Sequence, residues 1–344
     1  MIRLTKNKLS LSKFIENTID CKKIVILQKK EMKNILLLIF VISWLTACKK
    51  SDSLPPIDNS IDLDGTTIND SSILYPEKFL ISKAYPSYSF IDKSKPVLIA
   101  VHGFSATTFE WLEYKDFLKI QSDVLISLVL LGGHGRDYSD FKKATWEDWQ
   151  KPIIEEYNAL KDLGFTNISF IGSSTGCPLI LEIIHTNKIV PDVLKNVFLI
   201  DPIVVPSTKT LSLISAVGPA LGYSETTMEK GENGYWYKYR PYQALEQLNT
   251  ITQLIQKNLE DGISLPSNTK LTVYKSKKDD VADPISAVLI HKGIKSDNNQ
   301  AIEINIVESE LHVFTRLEGR NVITDDDGKL QNDVFNKILS KIKL

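Results

Sequence analysis

From Phe79 onward the chain alternates two hydrophobic rhythms. Short runs rich in β-branched residues, FLISKAY, PVLIAVHGF, VLISLVLLG, ISFIGSS, KNVFLIDPI, KLTVYKS and AIEINIVES, have the length and composition of strands. Between them lie TTFEWLEYKDFLK, TWEDWQKPIIEEYNALKDLG, GCPLILEIIHTN, ISAVLIHKG and NDVFNKILSKIKL, whose apolar residues recur at three- and four-residue spacing, as on one face of a helix. Strand followed by helix, repeated, buries a sheet on both faces, so the expected fold class is α/β, a doubly wound and mostly parallel sheet. The rhythm breaks between about 206 and 266, where SLISAVGPALGY and PYQALEQLNTITQLIQKNLE predict helices with no strand between them. That stretch is expected to form a helical cap inserted into a domain spanning 75–344.

The N-terminal part follows different rules. MKNILLLIFVISWLTACKK, starting at Met32, has a lysine, an apolar run from Ile35 to Ala47 and then Cys48. The run is short for a bilayer span and has the length of a signal-peptide core. LTAC resembles the lipobox of bacterial lipoproteins, in which the cysteine is joined to diacylglycerol and becomes the new N-terminus. The resemblance implies lipidation at Cys48, a membrane as partner and a place in the bacterial cell envelope, exposed outside the cytoplasm. Residues 1–47 are then an upstream segment plus signal peptide, with Met32 as the simpler start. Residues 48–74, rich in Ser, Asp, Asn and Pro, read as a flexible tether. TDDDG at 324–328 reads as a turn before the last helix.

Composition excludes several functions. Lys plus Arg number 41 against 42 Asp plus Glu, so a net charge of -1 gives no electrostatic reason for a nucleic-acid partner. Three cysteines, Cys21, Cys48 and Cys177, are too few and too scattered for a disulfide framework or a zinc site. No cofactor and no metal are expected.

The chemistry is concentrated in FIGSSTG. Its frame Gly172-Ser173-Ser174-Thr175-Gly176 is a GxSxG between a strand and a helix, and it selects Ser174 as the residue lifted clear of the sheet. Ser173 is then a small filler beside the turn. A serine hydroxyl needs a neighbouring base. Of the five histidines, His312 directly follows the last strand, where functional groups of a doubly wound sheet gather, whereas His185 and His291 lie in helices. A carboxylate must hold the imidazole, and the segment after the penultimate strand offers Asp279, Asp280 and Asp283.

The order serine, acid, histidine resembles that of the α/β-hydrolase superfamily, in particular its capped serine esterases and monoacylglycerol-lipase-like members. In those proteins the acid usually comes first in a segment like Asp-x-Val-x-x-Pro, which implies Asp279, with Asp280 in reserve. VLIAVHGFSA resembles the family's oxyanion segment, which implies that the backbone N–H groups of Phe104 and Thr175 face a developing oxyanion. LVLLGGHGRD resembles the LPGHGxS strand end, with a glycine in place of the proline and Arg136-Asp137 where the serine would come. The resemblance spans about 79–344.

It implies a serine hydrolase that cleaves small or medium acyl esters, monoacylglycerol among them, through an acyl-enzyme on Ser174. A peptidase, amidase or carbon–carbon hydrolase on the same scaffold is the alternative within enzymes, for which Glu225, Glu229 and Glu232 in the cap are candidate recognition groups. From another class, a surface lipoprotein that kept the fold and lost catalysis would bind without turnover. His102 reads as a polar group bonding nearby backbone, Cys177 as a small buried residue, and the aromatic cluster YWYKYRPY as either cap packing or substrate lining.

Overall fold

The computed structural model describes Leu63 and residues 70–84, 92–208, 211–296 and 302–343. The expected signal peptide, the start at Met32 and the lipidated Cys48 lie outside the described residues. Among the described residues ten strands run in chain order: β1 Val97–Val101, β2 Leu125–Val129, β3 Ile168–Ser173, β4 Leu194–Ile200, β5 Tyr223–Glu225, β6 Tyr239–Pro241, β7 Ile263–Ser264, β8 Lys270–Ser276, β9 Ile294–Lys295 and β10 Glu303–Val307. Six of them form one sheet in the order β10-β8-β4-β3-β1-β2, and every pairing in it is parallel. Parallel strands need crossovers, so all the carboxyl ends open on one edge.

Alternation along the strands sorts the core into two layers. Val97, Ile99 and Val101 of β1 join Trp149, Ile153, Leu179 and Ile255 on one face, supplied by the helices Trp146–Asp162, Gly176–His185 and Tyr242–Asp261. Leu98 and Ala100 join Tyr114, Leu118, Phe335 and Ile338 on the other, supplied by Leu112–Gln121 and Asp325–Ile342. Burial on both faces is why these strands are apolar runs and not alternating ones.

Four local expectations change. FLISKAY is not a strand: Pro76–Phe79 is a 3₁₀ turn and Ile81–Ala84 a short helix. The N–H of Ile81 donates to Ser127 Oγ at 3.0 Å and that of Ser82 to the buried Glu156 at 3.2 Å, so these donors cap the edge of β2 and are not free for a ladder. The tether ends earlier than expected, because Asp70 caps a helix Ser71–Leu74 whose Ile73 is fully buried in the core. TDDDG is the first turn of the last helix, with a capping box between Thr324 and Asp327. The cap contains strands after all, the antiparallel hairpin β5–β6, each arm too short to show a period. Its later part, Tyr242–Asp261, is a 20-residue helix about 30 Å long. Leu248 lines the cavity and also packs with Ile255 and Leu259 in the main layer.

Candidate active site

The elbow is built from close contacts. Ser174 follows β3 with φ of 46°, a left-handed conformation rare outside glycine, and its N–H donates to Ile200 O at 3.0 Å. A Cβ on Gly176 would lie 2.5 Å from Val101 O, and one on Gly172 2.7 Å from Ile180 Cδ1, so no side chain fits at either flank. Ser173 points the other way, bonding Val101 O at 3.3 Å and the carboxylate of Glu110.

Around Ser174 the structure brings together the residues that the sequence singled out. His312 Nε2 lies 2.8 Å from Ser174 Oγ, and His312 Nδ1 lies 2.7 Å from Asp279 Oδ2. Asp279 Oδ1 accepts the N–H groups of Val281 and Ala282 at 2.8 and 3.0 Å, which fixes the carboxylate in its loop. The neighbouring Asp280 is exposed and sits at the cavity mouth. The N–H groups of Phe104 and Thr175 donate to no other described residue, and both residues line the cavity with Ser174. His185 ends the helix after the elbow and His291 sits in the helix Ile285–Gly293, both away from the cavity.

The loop carrying His312 is held from two sides. Val313 has φ of 54°, a strained value for a β-branched residue. Arg320 donates to the carbonyls of His312 and Val313, and Ser276 Oγ donates to Leu311 O at 2.8 Å.

Behind the histidine lies a group the sequence reading missed. Lys275, on β8 and fully buried, places its ammonium 2.5 Å from Asp279 Oδ2 and 3.1 Å from Asp201 Oδ1. Asp201, just past β4 with φ of 45°, also accepts the Ser276 N–H at 2.7 Å and the Phe314 N–H at 3.4 Å. Burial works to raise the Asp279 pKa, but the His312 hydrogen bond and charge, followed by Lys275, pull it well below the usual carboxylate range. Asp201, Asp279 and His312 bring donor atoms within 4.8 Å of one another, as a metal site would. The ammonium of Lys275 already bridges the two carboxylates, so this cluster carries its own cation. The available signal was a lysine inside an apolar strand, four positions before Asp279.

Glu110 was also missed. Its Oε1 accepts the Gly103 N–H at 2.8 Å as well as the Ser173 hydroxyl, tying the segment before Phe104 to the segment before Ser174. Burial raises its pKa. His102 accepts the Leu131 N–H at Nε2, 3.1 Å away, so its Nδ1 carries the proton and donates to Gly103 O at 2.8 Å. Burial pushes its pKa down to about 4. Cys177 is buried, donates to Gly172 O at 3.2 Å and has its thiol pKa raised by burial.

The cavity above Ser174 measures about 590 Å³. Phe104, Ile203 and Leu248 supply apolar lining, and Trp236, Arg240 and Arg316 also line it. The aromatic cluster divides its work. Tyr237 is buried and donates to Arg136 O at 2.8 Å, Tyr235 stacks on Phe109 at 3.9 Å, and Trp236 lines the cavity. The candidate acids of the cap are taken: Glu232 pairs with Arg316 at 2.7 Å, Glu229 with Arg320 at 3.4 Å and Glu225 with Lys238 at 3.3 Å.

No protein-family model matches the chain. A thermostable monoacylglycerol lipase of Bacillus sp. (strain H-257) is 25% identical over 244 residues, covering 68% of this chain and 92% of that one. Among solved structures, the metagenome-derived lipolytic enzymes LipS and LipT give a match at TM-score 0.58 and 20% identity, covering 73% of this chain and 94% of the other. A soluble variant of monoglyceride lipase from Saccharomyces cerevisiae, bound to a substrate analogue, matches at TM-score 0.58 and 14% identity, covering 74% and 88%. The parallel sheet, its flanking helices and these likenesses together make this the α/β-hydrolase fold, with lipase- and esterase-type proteins as its neighbours in sequence and structure.

Proposed function

We propose that the protein is a serine hydrolase of carboxylic esters. The observation that carries this reading is the chain of hydrogen-bond distances from Ser174 through His312 to Asp279 at the floor of a cavity. In the reaction, Ser174 Oγ attacks the ester carbonyl carbon and His312 Nε2 takes the hydroxyl proton. Asp279 stabilises the resulting imidazolium, and the Phe104 and Thr175 N–H groups bind the oxyanion, each such donor contributing about 3 kcal/mol to the barrier difference. His312 returns the proton to the departing alcohol, and water then cleaves the acyl-enzyme by the same steps in reverse.

Small and medium acyl esters suit a cavity of about 590 Å³ whose wall mixes apolar and charged residues. Monoacylglycerols are the named substrates of two similar proteins and head the list to assay. A fluorophosphonate probe tests the mechanism: it should label the wild type and not Ser174→Ala, with Ser173→Ala still labelled. Labelling that survives in a folded Ser174→Ala protein rejects the reading.

The lipobox-like LTAC supports an envelope lipoprotein held on a membrane by Cys48. Among the described residues no helix is long and apolar enough to cross a membrane. Intact mass of the protein made in bacteria tests the anchor: wild type should carry acyl mass that Cys48→Ser lacks, and an unmodified wild type removes the proposal.

A further inference from the structure

Three arginines face the cavity, and two of them are spoken for. Arg316 pairs with Glu232 at 2.7 Å and lies 4.6 Å from the Trp236 ring, while Arg320 pairs with Glu229 and holds the His312 loop. Arg240, on β6, is different. Its Nε, like that of Arg316, is buried without a hydrogen-bond partner, but unlike Arg316 it has no described residue bonding any atom of its guanidinium. A buried polar group left unpaired is costly, and a cationic one more so. Burial pulls the Arg240 pKa below the ordinary arginine value, with only Glu232, itself paired to Arg316, opposing the shift.

Its position gives the missing partner an address. The guanidinium carbon lies 5.9 Å from the centre of the Phe104 ring, and Phe104 supplies the wall beside Ser174 and Thr175. The buried carboxylate of Glu110, which also lines the cavity, is turned to Gly103 and Ser173 and bonds no described arginine. A neutral lipid chain would bury this cation against methylenes. An anion on the substrate would instead form the charge-assisted, forked bonds that guanidinium favours.

The geometry points to Arg240 as an anion-binding subsite that selects esters carrying a carboxylate on the same small molecule as the scissile bond. This rests on the ester-hydrolase reading and narrows its substrate class. The subsite acts on recognition, so its removal should appear in the preference between matched substrates.

The experiment uses two matched pairs. In one, the anion is on the acyl side: the p-nitrophenyl monoester of glutaric acid against p-nitrophenyl valerate. In the other it is on the alcohol side: 4-acetoxybenzoate against phenyl acetate. Wild type should favour the anionic member of one pair, which also assigns the side. In Arg240→Gln the ratio of kcat/KM within that pair should fall by about tenfold or more, with Arg240→Lys recovering part of it. Binding of monomethyl glutarate to Ser174→Ala, measured by calorimetry, reads the subsite without turnover and should be lost when Arg240→Gln is added. Neutral esters preferred in both pairs, with ratios unmoved by either substitution and no glutarate binding, would overturn the inference while leaving Ser174 labelling intact. Failure of labelling with glutarate binding preserved would instead sink the hydrolase reading and keep the subsite.

Discussion

The two sides of the cavity are built differently. On the sheet side, Ser174, Asp279 and His312 each stand just past the carboxyl end of a strand, and backbone bonds or left-handed φ values aim them. On the cap side, Trp236, Arg240 and Glu232 come from a short hairpin and its flank, tied down by ion pairs and ring contacts. Even the staple between the cap and the His312 loop needs two glycines: Gly231 N donates to Gly319 O at 3.1 Å, and a Cβ on Gly231 would meet Gly319 Cα at 2.1 Å. The sheet side is therefore positioned mainly by backbone, which holds the three side chains in one arrangement. The cap side is positioned mainly by contacts between side chains.

The largest effect expected on the sheet side separates the two adjacent aspartates. Asp279→Asn should lower kcat on a neutral p-nitrophenyl ester by about 10⁴-fold, because the imidazole loses the partner that orients it. Asp280→Asn, exposed at the mouth, should cost less than about tenfold. Equal losses would show that the acid is not held by direction as the geometry requires.

Next comes the buried cation. Lys275→Met leaves Asp201 and Asp279 facing each other without their shared ammonium, and breaking a buried pair this way costs about 3–5 kcal/mol. Urea unfolding should show this loss, and adding Asp201→Asn should restore a large part of it. A double variant no better than the single would mean that Lys275 acts through packing alone.

A pH effect of intermediate size belongs to His102. Its pKa is about 4 in the folded protein against 6.5 for an ordinary histidine, so below pH 6.5 the unfolded chain takes up a proton that the folded one refuses. Stability is then full above pH 6.5 and declines as pH falls toward 4, by up to ~3 kcal/mol. Tm measured from pH 7.5 to 4.5 should fall less steeply in His102→Asn, whatever its starting value. An identical slope would assign the acid sensitivity to other groups.

The smallest effect tests the cap. Glu232→Gln weakens the tie to Arg316 and should cost about 1 kcal/mol of stability. Steady-state kinetics should show a several-fold rise in KM with a smaller change in kcat. A fall confined to kcat would mean that this pair serves the His312 loop more than the cavity wall.

Much of this was legible along the chain, for reasons that differ by residue. Gly172 and Gly176 mark the elbow because the close approach of Val101 and Ile180 leaves no room for a side chain, a local steric rule that spacing alone reveals. Strands β1, β3, β4 and β8 announced themselves because burial on both faces demands uninterrupted apolar runs. FLISKAY has the same composition, yet Ser127 and Glu156, distant in sequence, claim its N–H groups and turn it into a helix. Nothing in a window of seven residues contains that information.

The sequence by itself determined the α/β order of elements and the strand-end positions of Ser174 and His312, because strand, turn and glycine spacing are short-range constraints of the backbone; among the three aspartates after β8, it was the family resemblance that implied Asp279. Only the tertiary structure decided the charges. Lys275 lies between two carboxylates, one of them 74 positions away along the chain, and Glu110 reaches Ser173 across 63 positions. Among the described residues the Arg240 guanidinium has no hydrogen-bond or ion-pair partner, while Arg316 takes Glu232. Which buried charges are paired and which are free depends on where the folded chain brings them together. That is set by the packing of whole layers and leaves no periodic trace in the order of residues.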